Sequence, residues 1–327
     1  MRAAFAPTHG SPDVVVIEEL PQQDLAAGQL RVAISAAAVN FSDVLIVANE
    51  YQLKVPAPFV PGSEFAGVVQ EVADDVVGFA VGDRVFGTAI TGAFAEEIVV
   101  SSYAVRVVPE GVDLRTAAAF GVAHRTAYHA LRSTAGLRSG DELVVLGAAG
   151  GVGLAAVQLG TLIGASVTAV ASSPERLEVA ASYGAQHLID RQTGSVREAL
   201  RQELPQGSDV VIDPVGGDVA EPALRSLRYG GRFVSIGFAS GVIPRIPLNL
   251  VLLKGINVTG FEIGSFLTRQ AEEAERNETE LLELLATGRA TPHISASFGL
   301  AQAADALRHV GSGQAIGKVV LDVNGAS

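Results

Sequence analysis

The chain of 327 residues contains no cysteine. Disulfides are therefore excluded, and so is any thiolate metal site. No apolar run reaches the ~18 residues that a membrane helix needs, and the opening "MRAAFAPTHG" lacks the apolar core of a signal peptide. Basic residues are in deficit: 23 Lys and Arg stand against 35 Asp and Glu, a formal net charge of −12. That balance disfavours non-specific binding to nucleic acid or anionic membranes, although it leaves room for a local basic pocket. The expectation is a soluble, cytoplasmic protein with no nucleic-acid or membrane partner. What is present is a 48% apolar fraction and 36 glycines, the composition of a compact α/β protein. The length suggests two domains.

Punctuation changes along the chain. Up to about residue 110, short β-rich runs such as "QLRVAISAAAV", "FAGVVQEV", "DRVFG" and "FAEEIVV" are bounded by Gly, Pro and Asp. One helix is predicted among them, from Asn40 to Asn49. From about Asp113 strands and helices alternate, the pattern of a parallel sheet covered by helices on both faces. A polar, acidic helix, "FLTRQAEEAERNETELLELLATG", and a β-like tail follow. The fold class read from this order is α/β: a doubly wound Rossmann sheet inserted into a β-rich domain that uses both chain ends. The expected boundaries are 1–118 and 263–327 for the β-rich domain and 119–262 for the inserted one.

The strongest motif is "LVVLGAAGGVGLAAVQLG", Leu143 to Gly160. An apolar strand runs into Ala148-x-Gly150-x-x-Gly153, a variant of G-x-G-x-x-G with Ala first, and a helix follows. Such glycines let backbone approach a pyrophosphate, and the helix N-terminus offers free N–H groups and a positive dipole end. Ala149, Gly150, Gly151, Val152 and Gly153 are thus the candidate nucleotide cradle. The alternative is a tight turn with no ligand. About 20 positions on, an acidic residue would favour NAD. Here the next strand ends at Ser172-Ser173, with Arg176 three residues beyond. Hydroxyls and a guanidinium suit a 2′-phosphate, so NADPH is the expected cofactor. Arg191, after the following strand, is a second candidate; the bland reading of Arg176 is an ordinary helix-surface charge.

With these residues in view, the chain resembles the zinc-independent quinone oxidoreductase (zeta-crystallin-like) branch of the medium-chain dehydrogenase/reductase superfamily. The resemblance rests on "VNFSDVLIVANEYQLKVPAPFVPGSEFAGVV", "VGDRVFG", "GAFAEEIVV", "RTAYHAL", "VLGAAGGVG", "DVVIDPVGG", "GGRFVSIGFASG" and "GKVVL", and it spans nearly the whole chain. It implies a GroES-like catalytic domain, an active site in the cleft between two domains, a small-molecule electron acceptor, and a homodimer joined through the edges of the Rossmann sheets. "IPLNLVLL" and "INVTGF" are the candidate edge. It implies Asn40 beside the nicotinamide, with Asp43 of the same motif and Tyr51 at the cleft mouth as further catalytic candidates. Thr126, Gly237, Phe238 and Lys318 are implied as cofactor contacts. Competing roles are structural: Asn40 as helix cap, Asp43 as complement to the helix dipole, and Tyr51 packed on Pro56 and Pro58.

The string "VPGSEFAGVV" holds a carboxylate, Glu64, in an apolar run. Unpaired burial there costs several kcal/mol or shifts protonation. Zinc-dependent relatives carry a His ligand where this chain has Ser63, and a Cys near the first helix where it reads Asn40-Phe41-Ser42-Asp43. No metal is expected. Glu64 is instead expected to be a structural carboxylate, paired with Lys318 or hydrogen-bonded to backbone near the nicotinamide end of the cleft. The chain also departs from the branch at Leu45 and at Ala123-His124-Arg125. Arg125 would narrow the expected cleft, form an anion subsite or, with His124, point to solvent. The expected activity is NADPH-dependent reduction of a quinone. The alternatives are reduction of an activated alkene, such as acryloyl-CoA or an alkenal, and a non-catalytic NADPH-binding crystallin-like or sensor protein.

Overall fold

A computed structural model of the protein describes residues 1–323. In chain order the first stretch forms β1 (Arg2–Phe5), β2 (Val16–Glu19), β3 (Gln29–Val39), α1 (Phe41–Val47), β4 (Glu64–Val72), β5 (Arg84–Thr88), β6 (Glu97–Ser101), β7 (Val105–Val107) and α2 (Leu114–His129). The middle forms β8 (Glu142–Leu146), α3 (Gly151–Ile163), β9 (Ser166–Ala171), α4 (Pro174–Ser182), β10 (His187–Asp190), α5 (Val196–Glu203), β11 (Ser208–Asp213), α6 (Ala220–Ser226), β12 (Leu227–Ser235), α7 (Leu248–Lys254), β13 (Asn257–Gly260), α8 (Ile263–Arg269) and α9 (Ala271–Ala286). The end forms β14 (Ile294–Gly299), α10 (Ala303–Gly311) and β15 (Lys318–Asp322). Two compact units result, residues 1–122 with the chain end from Thr291, and Ala123–Ala290. Among the described residues no helix is long and apolar enough to cross a membrane.

In the first unit β3 is the spine. Its apolar positions repeat along eleven residues, so it is long enough to pair on both sides. β4 runs antiparallel along one side. On the other, β6 pairs with Gln29–Ala33 and β15 with Ala36–Val39. The C-terminal strand therefore lies against β3, which places Lys318, the first residue of β15, near Asn40, the residue after β3. Leu30, Ile34, Phe65, Phe94, Leu307 and Leu321 fill the core beneath.

In the second unit six strands pair in parallel in the order β10-β9-β8-β11-β12-β13. The order reverses beside β8, whose chain neighbour β9 lies on one side and β11 on the other. Ligands of such sheets bind outside the strand ends at that reversal. β11 is buried throughout, as both faces of a parallel sheet are covered. The β13 edge strand is exposed along its whole length.

Two expectations change. The predicted acidic helix is broken at Gln270, which leaves helical geometry (φ −130°, ψ 47°), into α8 and α9. The second unit ends at Ala290, so residues 263–290 group with the sheet domain instead of the C-terminal part of the β-rich domain. Side chains of α9 explain this: Glu278 pairs with Arg125 and His129 of α2, and Asn277 Nδ2 faces His129 Nδ1.

Candidate functional site

The glycine turn follows β8 at the reversal of strand order. Gly147 has φ +59°, and its carbonyl accepts from the Gly150 N–H at 2.9 Å. Gly150 is the N-cap of α3 and supplies no side-chain acceptor. The first-turn N–H groups of Gly151, Val152 and Gly153 therefore lack a side-chain cap, and the helix dipole adds positive potential there. A Cβ on Gly153 would lie 2.1 Å from the Gly147 carbonyl oxygen, so only glycine lets this helix pack on the turn. Ala149 is buried behind it.

Beside the turn, β9 ends at Ala171, and Ser172 and Ser173 follow, both half-buried. Ser173 caps α4, its Oγ accepting the Arg176 N–H at 3.4 Å, so its own O–H remains a donor. Arg191 is exposed at the neighbouring strand end, and its N–H donates to the Ala171 carbonyl. Gly237 and Phe238 follow β12, with Phe238 exposed. Sequence reasoning passed over Asp213, which closes β11. Its Oδ1 accepts the N–H groups of Val215 and Gly216 at 2.9 and 2.8 Å, shaping the loop. Its Oδ2 is buried without a hydrogen bond among the described residues, and burial pushes its pKa up against those two donors. The string "DVVIDPVGG", in which it follows an apolar strand, was its only signal.

In the first unit a buried polar cluster gathers residues from four segments. The Lys318 ammonium donates to Asn40 Oδ1 at 2.6 Å and to Glu64 Oε2 at 2.9 Å. Asn40 Nδ2 donates to the same Glu64 oxygen at 3.1 Å. Glu64 Oε1 accepts the Val122 N–H of α2 at 2.7 Å. Glu64 is thus the paired carboxylate its apolar string demanded, joining both ends of the chain. The Asn40 N–H donates to Asp43 Oδ2 at 2.7 Å. Asn40 sits at the cap position of α1, but its amide is turned to Lys318 and Glu64.

Asp43 is fully buried, and burial pushes its carboxyl up to about 6. The Asn40 N–H, the nearby Ser63 hydroxyl and the Lys318 charge oppose this, while Glu64 adds to it. Its Oδ1 has no hydrogen-bond partner among the described residues. The native pKa lies above the unfolded one, so the protonated carboxyl stabilises the fold below about pH 4, and that contribution is lost as pH rises through about 6. In urea titrations Asp43→Asn should flatten this slope, removing up to about 3 kcal/mol of pH-dependent difference between pH 4 and 7. An unchanged slope would place the titration elsewhere.

The remaining candidates fall apart from these sets. Tyr51 is half-buried after α1 and packs against the apolar core of the first unit. Thr126 is buried in α2, within the second unit. Arg125 neither points to solvent nor offers a free anion subsite. Its Nε donates to Glu278 Oε1 at 2.7 Å. His124 is buried, with Nε2 3.2 Å from Gln158 Oε1. Burial pushes the Glu278 carboxyl up, but His129 and Arg125 outweigh it and hold it below the usual range. Among the described residues no three His, Cys, Asp or Glu side chains gather as a metal set.

Residues 26–110 match the alcohol dehydrogenase GroES-like domain, and residues 151–286 the zinc-binding dehydrogenase family. The chain is 37% identical over 311 residues to quinone oxidoreductase-like protein 2 of Bos taurus, covering 94% of this chain and 89% of that one. The chain belongs to the quinone oxidoreductase branch of the medium-chain dehydrogenase/reductase superfamily. Among solved structures, Escherichia coli quinone oxidoreductase complexed with NADPH superposes with a TM-score of 0.91 at 27% identity, covering 99% of this chain and 100% of that one. A polyketide synthase of Streptomyces halstedii is also similar, 36% identical over 300 residues, covering 91% of this chain and 5% of the synthase. Membership accounts for the two-domain order and for a Rossmann sheet inserted in a GroES-like domain.

Proposed function

We propose that this protein is an NADPH-dependent oxidoreductase that reduces a quinone without a metal: quinone, NADPH and a proton give hydroquinone and NADP⁺. The observation that carries it is the glycine turn at the sheet reversal, followed at the next strand end by Ser172, Ser173 and Arg176 where NAD enzymes carry a carboxylate. The cradle fits the cofactor, since Gly150 caps α3 without a side-chain acceptor and leaves the first-turn N–H groups to an anion. The bound cofactor supplies hydride from its nicotinamide.

The chain's own groups divide the other work. The first turn of α3 holds the pyrophosphate, and Ser172, Ser173, Arg176 and Arg191 hold the 2′-phosphate. Thr126, Gly237 and Phe238 are proposed to line the nicotinamide side. Asn40 donates to an oxygen of cofactor or acceptor, and Tyr51 passes a proton to the reduced acceptor. Asp43, raised to about 6, takes up and releases its proton just below neutral pH. A quinone needs little activation, so positioning supplies most of the rate.

Following NADPH absorbance with 1,4-benzoquinone, an ortho-quinone, an alkenal and acryloyl-CoA tests the reading. A large kcat/KM preference for the thioester would sink it in favour of enoyl reduction. Binding of NADPH with no turnover of any acceptor would favour the non-catalytic alternative. Arg176→Ala should raise the KM for NADPH roughly 10- to 100-fold and leave that for NADH nearly unchanged, the loss of one charge-assisted pair. Equal effects would remove Arg176 from the 2′-phosphate site.

A homodimer is part of the proposal. The open edge of β13 and the adjoining Leu248, Leu252 and Leu253 of α7 are exposed, Leu252 to 81%. An unpaired edge flanked by apolar side chains suits pairing with a second copy. Leu252→Glu should convert a dimer to monomer in sedimentation velocity; a wild-type monomer would refute the interface.

A further inference from the structure

We infer that Lys318 and Glu64 are positioning residues that lock the Asn40 carboxamide in one orientation, making it an obligate hydrogen-bond donor to its ligand. The inference rests on the proposed function for the identity of that ligand, an oxygen of cofactor or acceptor.

An asparagine amide has an acceptor end and a donor end of nearly equal shape, so a ligand can meet either. Its neighbours decide here. Lys318 carries only donors, so the Asn40 atom 2.6 Å from its ammonium must be the oxygen. An ionised Glu64 carries only acceptors, so the atom 3.1 Å from its Oε2 must be the nitrogen. A flip would set donor against donor and acceptor against acceptor at once. Lys318 and Glu64 are themselves joined at 2.9 Å, and the other Glu64 oxygen is held by the Val122 N–H. The lock is therefore built from both ends and cannot turn with the amide.

Asn40 Oδ1 is taken by the ammonium. Of the two amide hydrogens one serves Glu64. Among the described residues the other faces only Ser63 Oγ at 3.4 Å and the Ala38 carbonyl at 3.5 Å, both at the outer limit of hydrogen bonding. That hydrogen is the atom left for a ligand, so the ligand atom is an acceptor such as a carbonyl oxygen. Lys318 reaches a ligand through Asn40: its side chain is 4% exposed and its ammonium is bonded to Asn40 and Glu64.

The pair Glu64→Gln/Lys318→Met removes both charges together, so neither is left buried alone. The introduced glutamine must give its oxygen to the Val122 N–H, and its NH₂ then faces Asn40, which reverses the preferred amide orientation. The side-chain amide of Asn40, identified in ¹⁵N-asparagine spectra by its loss in Asn40→Ala, should move in the pair variant. The kcat for quinone should fall roughly 10- to 100-fold, to the level of Asn40→Ala, with little change in the KM for NADPH. Combining all three changes should cost no more than Asn40→Ala alone. A folded pair variant with wild-type kcat and an unmoved amide signal, beside a slow Asn40→Ala, overturns the lock and leaves the proposed function standing. Wild-type kcat in Asn40→Ala removes Asn40 from the reaction, while the amide signal still judges the lock. Should the pair variant not fold, the wild type decides: two distinct Asn40 amide protons, slow to exchange with water, support the lock, and fast exchange refutes it.

Discussion

Gly153→Val should lower NADPH affinity by at least about tenfold and destabilise the second unit by roughly 1–3 kcal/mol or more. The added Cβ would meet the Gly147 carbonyl oxygen at 2.1 Å, a backbone atom fixed by the φ +59° turn and by its bond from Gly150. Helix α3 must then lift from the turn, and its first-turn N–H groups leave the position from which they face an anion. Gly150→Ala separates the two consequences. Its Cβ would lie 3.4 Å from the same oxygen, an ordinary contact, so stability should hold while approach of a pyrophosphate is obstructed. Isothermal titration with NADPH and a thermal melt of each variant give the test. A Gly153→Val protein with wild-type affinity would show that the turn is not the cradle.

Lys318→Met should cost about 3–5 kcal/mol, because it leaves the Glu64 carboxylate buried without its cation. The side chains are 4% and 1% exposed, so solvent cannot substitute. A neutral carboxyl needs no counter-charge, so the loss should be smaller at lower pH. Removing both charges, as in Glu64→Leu/Lys318→Met, should recover part of the loss, since well-packed apolar replacements of a buried pair are often neutral. Denaturant unfolding at pH 5 and pH 8 checks this. A single variant within about 1 kcal/mol of wild type at both would mean that the pair is dispensable to folding.

The relation between chain and structure differs by element. The turn at Gly147–Gly153 was legible because the contact that demands glycine at Gly153 lies within seven residues. The alternation of strands and helices was legible for the same reason, since period and turn chemistry are local properties of the backbone. The burial of Glu64 was legible from its apolar neighbours, and the resemblance suggested a partner. Arg125 was not legible: a guanidinium on α2 reads as a surface charge or an anion subsite until α9 brings Glu278 to it across 153 positions. The same pairing moved the boundary from 262 to 290. Asp43 looked like a helix-dipole partner; only the packing around α1 shows that it is fully buried, which lifts it to about 6.

By itself, then, the sequence determined the two-part order, the nucleotide turn, the absence of thiolate ligands, and a buried carboxylate in need of a counter-charge. The tertiary structure alone decided which way the Asn40 amide faces, because that depends on a lysine 278 positions away whose strand β15 pairs with β3. Hydrogen-bond direction is a property of neighbours in space. No pattern local to Asn40 encodes it.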